Sequence, residues 1–529
     1  MLNSIRLRNL RSFNNEPTSP FIELKPLTVF VGKNSCGKST CLRSLPLLRQ
    51  SVEARTTGPI LWYGSYVDFG AFSEAVTKDS NTNVIYFDFL LELDTSQERY
   101  PTAMFSGGRR FRSAYESNNV IAQVQLGVTD VDNKTIASSL KIKINNFDYD
   151  FEFSENGKCT LSINNEAHLE LDNLDSFQHR QLLPVIGKIR ERDRTIDGVK
   201  RTHRFWDESY FETFFTQKLK KKLSPFFHSN TSEQKINSGI QRIGIIERKK
   251  IRKSISSAFN SSNSFLKNVK NISESDLDDI HALSMHKNIS RILSIVDGEL
   301  SSVFKRIRYI APLRATAERY YRHQDLQIEE IDHTGSNLAM LLKSWTTSEQ
   351  RKFGDWTMSS FGFKVRVNES GLHYALMVQT KGDDKEYNIN DMGFGFSQIL
   401  PIVASLWLET LNTRRTRRGA GEHLIFAIEQ PELHLHPEYQ SKLATVFSKI
   451  ISQAKTNGIG LKIIFETHSK TMIDTIGDNI EDGEINKEDV NIVLFDKCLK
   501  TNSSLVKFAN YDEEGNLDNW PIGFFSGRV

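Results

Sequence analysis

The spacing of apolar and polar positions changes several times along the chain, and each change marks a different kind of element. Ile5-Arg6-Leu7-Arg8 alternates as a half-buried strand does, and Leu27-Thr28-Val29-Phe30-Val31 is a β-branched apolar run. Cys41, Leu42, Leu45, Leu47 and Leu48 then fall at helical spacing over 41–52. Residues 83–170 read as β-rich: Val84-Ile85-Tyr86-Phe87-Asp88-Phe89 and Leu140-Lys141-Ile142-Lys143-Ile144 are separated from their neighbours by Asn, Gly and Asp turns. Over 175–305 the strand signals stop, and Lys, Ser, Asn and Phe recur at loose helical spacing. The Ser/Asn-rich stretch Ser254–Ser264 predicts a mobile loop. Strand signals return from about 307, in Arg308–Arg314, Lys364–Val367, Leu424–Ile428, Leu461–Phe465 and Val490–Phe495. The pattern has no fixed repeat. It predicts an α/β domain split in sequence, with a β-rich piece and a basic helical piece between its halves. The segments are 1–175, 176–305 and 306–529.

Length and composition narrow the class. A chain of 529 residues suggests roughly three domains or one large domain with insertions. Its 38% hydrophobic and 25% charged residues are ordinary for a soluble globular protein. The longest near-apolar run, Ile399–Leu408, contains Pro401 and is half the roughly 20 residues a membrane span needs. Arg6, Arg8 and Arg11 stand where a secretory leader requires an apolar run, so no leader is expected. Cys36, Cys41, Cys159 and Cys498 form no CxxC or Cys/His cluster, which predicts a reduced, cytoplasmic protein without a zinc site. The net charge of +3 implies no partner, but its distribution is uneven. Residues 201–270 carry 15 Lys/Arg against 5 Asp/Glu, leaving the remainder of the chain net acidic.

Chemistry enters with Gly32-Lys33-Asn34-Ser35-Cys36-Gly37-Lys38-Ser39-Thr40, which meets every fixed position of the phosphate-binding pattern G-x-x-x-x-G-K-[ST]. Glycine lets successive backbone N–H groups curl around phosphate, and the following helix points its positive end at the same anion. Lys38 is placed to reach the β and γ phosphates, and the Ser39 hydroxyl to ligate Mg²⁺. Much later, Leu424–Ile428 ends in Glu429, a strand-tip carboxylate that can hold Mg²⁺, followed by Gln430-Pro431-Glu432-Leu433-His434-Leu435-His436-Pro437. Leu461–Phe465 ends in Glu466-Thr467-His468-Ser469, where His468 can hydrogen-bond a γ-phosphate or an attacking water. Gly393-Phe394-Gly395-Phe396-Ser397-Gln398 opens an apolar helix and offers a second anion seat; a plain tight turn is the simpler alternative.

In this order the motifs resemble the ABC-type ATPases of the Rad50/SMC/RecF/OLD group, whose first strand Ile5–Phe13 also resembles. The resemblance implies a P-loop NTPase head with a mixed sheet, ATP and Mg²⁺ as ligands, and a homodimer or higher even oligomer. Gly32–Thr40 would then bind ATP in cis and Gly393–Gln398 in trans. Glu429 would take the Mg²⁺ carboxylate position, and His468 would be the switch histidine. Within the group, Tyr309–Arg314, Asp391–Pro401, Glu429–Pro437 and Glu514–Phe525 resemble the PtuA family, the ATPases of Septu-type anti-phage systems, some of which accompany retrons. That resemblance implies a PtuB-like HNH nuclease as partner, scaffolded and gated by the ATPase.

Two positions depart from the group. Most ABC-type ATPases place Glu after the Mg²⁺ carboxylate, and this chain has Gln430. A glutamine positions water but cannot accept its proton, so slow hydrolysis is expected, with Glu432 as the reserve base. The usual signature serine is Gly393, leaving the trans contact to backbone N–H groups or Ser397.

The basic middle contains Lys218, Lys220, Lys221 and Lys222, then Arg248, Lys249, Lys250, Arg252 and Lys253. Phe205, Trp206, Tyr210, Phe211, Phe214 and Phe215 lie just upstream. Cations with nearby rings suit DNA or a retron's RNA–DNA product; solvated helix faces over an aromatic core are the alternative. Arg414, Arg415, Arg417 and Arg418 form a further basic loop. Competing functions are a RecF/Rad50-like DNA-repair ATPase, although no heptad arms are visible, and an OLD-type nuclease, although no DxD motif follows His468. The chain itself is expected not to cut DNA.

Overall fold

The computed structural model describes residues 1–78, 80–95, 119–167, 171, 174–178, 181–196, 199–322, 328, 330–371, 373–411, 423–498 and 500–521. The basic loop at 414–418 and the last residues of the 514–525 segment lie outside them. The chain forms two compact units. One comprises Met1–Arg8, Ser51–Leu61 and Asn81–Ser302; the other comprises Asn9–Gln50, Trp62–Ser80 and Val303–Val529. The stretch 1–175, read from sequence as one piece, is therefore shared between both units.

The second unit is built on a mixed sheet. Its strands run in the order Ile307–Ile310, His423–Glu429, Gly460–Glu466, Leu27–Gly32, Val490–Lys497, Ser504–Tyr511 and Leu517–Asp518. The first five are parallel, and the last two add as antiparallel edge strands. Leu27–Gly32 is buried at every position, as a parallel strand covered on both faces must be. Helix Pro437–Thr456 lays Leu443, Phe447, Ile450 and Ile451 into the core, a stripe at helical spacing. This is the α/β arrangement of a P-loop NTPase, split in sequence, and it brings the carboxyl ends of four parallel strands together, where such sheets bind ligands.

The first unit contains an antiparallel meander followed by helices. Strands Ile85–Asp94, Asn119–Val131, Lys134–Ile144, Phe147–Phe153 and Lys158–Ile163 pair in sequence order. Three of its turns are Asp132-Asn133, Asn145-Asn146 and Asn164-Asn165, with both residues at positive φ, the conformation that two-residue hairpins require and Asn tolerates. The helical reading of 175–305 began too early. Leu174–Phe177, Val185–Ile196 and Val199–Asp207 are strands, and their charged composition hid the pairing. Helices run from Tyr210–Leu223 to Ile289–Lys305. The predicted loop at Ser254–Ser264 is also corrected: helix Ile251–Ala258 covers its start, because Ile251, Ile255 and Ala258 share a buried face despite the serines between them. Pro401 sits inside helix Phe394–Leu406.

Candidate functional site

The phosphate loop joins strand Leu27–Gly32 to helix Lys38–Glu53. Gly37 has φ +103°, and a Cβ there would collide with the Ser504 hydroxyl and the Phe13 ring. Lys33, Asn34 and Ser35 are exposed, whereas Cys36 and Lys38 are buried. The Lys38 ammonium donates to the carbonyls of Gly32 (2.9 Å) and Lys33 (2.7 Å), so the loop itself holds it. The Cys36 thiol donates to the Lys33 carbonyl at 2.7 Å, and burial pushes its pKa up. It is therefore a packing group here rather than a reactive thiolate.

Glu429 and Glu466 end adjacent parallel strands in direct register. Their surroundings differ. Glu429 accepts from Arg43 Nε (2.7 Å) and Nη2 (2.8 Å) and from the Tyr309 hydroxyl (2.6 Å). Glu466 accepts from the Ser39 hydroxyl at 3.0 Å through Oε1, and its buried Oε2 has no partner among the described residues. Burial, with the neighbouring charge of Glu429, lifts the Glu466 pKa to about 7.

The loop after Glu429 is held tightly. Gln430 takes φ +41°, and its N–H donates to the Glu466 carbonyl at 3.0 Å. Buried Arg314 donates to the carbonyls of Glu429 (3.0 Å) and Gln430 (3.2 Å), while its Nε and Nη1 have no partner among the described residues. Burial lowers its pKa to about 10. Glu432 Oε1 accepts the His468 backbone N–H at 2.7 Å, and its enclosed Oε2 has no hydrogen-bond partner among the described residues. Burial raises the Glu432 pKa, the condition for a carboxyl group to act as a base near neutrality. His468 is pushed down by burial and by Lys38, which favours its neutral imidazole. His436 caps helix Pro437–Thr456, accepting from Glu438 N–H at 3.3 Å.

Gly393 has φ +82° and precedes helix Phe394–Leu406. The Phe394 ring meets the His434 ring edge-on at 4.9 Å, and a Cβ on Gly395 would lie 3.3 Å from the His434 carbonyl. Gln398 is fully buried and clamps the backbone of Arg314 through both amide atoms. Ser397 is buried and donates to the Phe394 carbonyl at 2.7 Å, while Phe396 packs on Phe363 and Tyr439. Only Gly393 and Phe394 of this segment are exposed.

The structure therefore gathers Lys38, Ser39, Glu429, Gln430, Glu432 and His468 at one strand-end cluster. It adds Arg43, Tyr309, Arg314 and Glu466, which sequence reasoning did not select. A signal existed for two of them. Arg43 lies one helical turn after Ser39, and Glu466 repeats the strand-final carboxylate of Glu429.

The basic runs look different. Lys220 pairs with Glu233, Lys222 with Asp276 and Asp279, and Arg248 with Glu274 and Asp278. Lys249 and Lys250 pair with Glu247, and Arg252 pairs with Glu274. Phe211 and Phe215 are buried in the core, so they cannot stack on bases; Phe205 remains exposed.

Comparison with known proteins adds three findings. The family described as AAA_15, AAA ATPase domain, matches residues 1–473, a span that includes the phosphate loop and His468. No curated protein matches. Among solved structures, the chain is similar to the Smc head domain of Pyrococcus furiosus, solved with an extended coiled coil bound to the C-terminal domain of ScpA. That likeness has 9% identity over 96% of each chain and a TM-score of 0.36. It is also similar to the Smc head domain of Pyrococcus yayanosii, solved with a coiled coil and joint, at 10% identity over 97% of this chain and 98% of that one, with a TM-score of 0.34.

Proposed function

The chain belongs to the AAA_15 family of AAA ATPase domains, and from that premise we propose a slow, ABC-type ATPase whose ATP-bound dimer gates a PtuB-like HNH nuclease in anti-phage defence. One observation carries the slow turnover. The residue after Glu429 is Gln430, and Arg314 and the Glu466 carbonyl hold its backbone at the strand end. A base is thus missing from the position where this class of ATPase keeps one. Glu432 is the nearest substitute, and its Oε1 is already committed to the His468 N–H.

The residues suit ATP with Mg²⁺. The Ser39 hydroxyl and the strand-end carboxylates are hard oxygen donors, and the buried Glu466 Oε2 has no other partner among the described residues. Bound Mg²⁺ supplies charge neutralisation on the phosphates. Lys38 would leave its loop carbonyls for phosphate oxygens, while neutral His468 offers a hydrogen bond near the γ position. The exposed Gly393–Phe394 edge would present backbone N–H groups to the nucleotide of a second copy. The partner assignment rests on the PtuA-like segments at Asp391–Pro401 and Glu429–Pro437.

Co-purification of the tagged chain from its native host, followed by ATP turnover, tests this reading. A small HNH protein in the pull-down and slow turnover are expected. Gln430→Glu should raise turnover about 100-fold, the low end of a positioned base's contribution. Fast, DNA-stimulated turnover without a partner would instead support a RecF-like repair ATPase.

A further inference from the structure

We propose that Glu466, rather than Glu429, is the protein carboxylate that faces the Mg²⁺ of bound ATP, and that Glu429 is a positioning residue. The inference rests on the reading above that ATP and Mg²⁺ occupy the phosphate loop. It begins from hydrogen-bond capacity. Glu429 is 1% exposed and already receives three donors, two from Arg43 and one from Tyr309. Those donors neutralise its charge and fix its plane. To serve a cation, it would first have to give up an ion pair whose guanidinium would then lie beside the metal.

Glu466 is in the opposite condition. It is 2% exposed, yet one carboxylate oxygen has no partner among the described residues. Buried carboxylate oxygens are almost always satisfied, so an orphan of this kind marks a missing cation or donor. Its other oxygen holds the hydroxyl of Ser39, the residue that the phosphate-loop pattern assigns to the metal. Sheet order places it well. The Glu466 strand pairs directly with the phosphate-loop strand, with Glu466 opposite Phe30, whereas the Glu429 strand lies one position further out. Mg²⁺ in nucleotide sites takes one or two carboxylates, phosphate oxygens and water, and a Ser39–Glu466 pair supplies the protein's share.

Glu429 then has a distinct task. Through Tyr309 and Arg43 it ties the strand Ile307–Ile310 and the helix Lys38–Glu53 to its own strand end. This fixes the helix one turn after Ser39.

The test is calorimetric titration of the full chain with ATP, once with MgCl₂ and once with EDTA. The wild type should bind more tightly with MgCl₂. Glu466→Gln retains an acceptor for Ser39 but loses the charge. Its Mg²⁺-dependent gain should fall about 10- to 100-fold, the range for lost metal-site partners, with affinity in EDTA unchanged. Glu429→Gln should keep the gain. A full gain in Glu466→Gln, or a gain lost in folded Glu429→Gln, overturns the assignment. If circular dichroism shows Glu466→Gln unfolded, Glu466→Asp keeps the charge on a shorter arm. A reduced gain there supports the assignment, and an unchanged gain overturns it. A folded wild type that binds no ATP fails the nucleotide reading itself, whereas a wild type with an Mg²⁺-dependent gain leaves that reading standing whichever carboxylate proves responsible.

Discussion

At the phosphate loop, Glu466, Glu432 and Arg314 each retain an enclosed polar atom with no partner among the described residues. Among the helices that follow Asp207, Lys220, Lys222, Arg248 and Arg252 are partly exposed, and each meets a carboxylate. In sequence the second region looks functional, with nine cations in two runs, and the strand ends look modest. Folding reverses the impression. A cation run takes its partners from other helices, as Lys222 does from Asp276 and Asp279. Unmet polar capacity, the stronger mark of a ligand site, exists only where burial denies a group the water that would otherwise satisfy it.

Lys287 offers the largest test of that contrast, because it is a buried cation within the helical region. It is 3% exposed and donates to the carbonyls of Ile240 (2.7 Å) and Ile243 (2.9 Å). Burial pushes its pKa from 10.5 down to about 8. Between those values the unfolded chain binds more protons than the folded one, so stability must rise with pH across the window. The rise is at most about 1.4 kcal/mol per pH unit, or about 3 kcal/mol in total. Lys287→Met should remove that slope from chemical denaturation curves compared with wild type. Buried Lys462 is also lowered to about 8 and adds a slope of the same sign, but it is common to both proteins and cancels in the difference. An unchanged difference would mean that Lys287 keeps its proton and its charge when folded.

A smaller effect is expected at Glu429. Glu429→Ala leaves Arg43 without its bidentate acceptor and the buried Tyr309 hydroxyl without the carboxylate it donates to. Breaking a fully buried pair costs about 3–5 kcal/mol, but the Arg43 side chain is 34% exposed and can reach water. The loss should be about 2 kcal/mol by thermal melting. No loss would mean that this pair behaves like the surface pairs of the helical region, and the contrast between the regions would weaken.

How much of this was legible beforehand follows the same physics. Local patterns reported the phosphate loop, the buried strand Leu27–Gly32 and the acid at Glu429, because each is written in consecutive residues. The strands Val185–Ile196 and Val199–Asp207 were not legible, since Lys188, Arg190, Glu191 and Arg204 interrupt the alternation with charge. The site's remaining members come from distant places: Arg43 and Glu429 are 386 positions apart, and Ser39 and Glu466 are 427 apart. No window on the sequence can pair them. Register can, because Glu429 and Glu466 end neighbouring parallel strands, but only once the sheet order is known.

The smallest expected change concerns the basic runs, and it bears most directly on whether they face nucleic acid. Consider Lys220, Lys221, Lys222, Arg248 and Arg252 replaced together by Ala, with DNA binding followed against salt. Five cations free to neutralise phosphate would lower the slope of log affinity against log salt by about 4.5. Four of the five already hold carboxylates, so contact with phosphate would require opening those pairs and leaving acids such as Asp276, Asp279 and Glu274 beside the DNA backbone. Any phosphate contact would then fall mainly to exposed Lys221, and the slope should change by about 1 or less, as loss of a single contact requires. A fall of four or five would show that phosphate outcompetes the native carboxylates. The two regions would then differ in when their charges are met, during folding at one and on binding at the other, rather than in whether they are met.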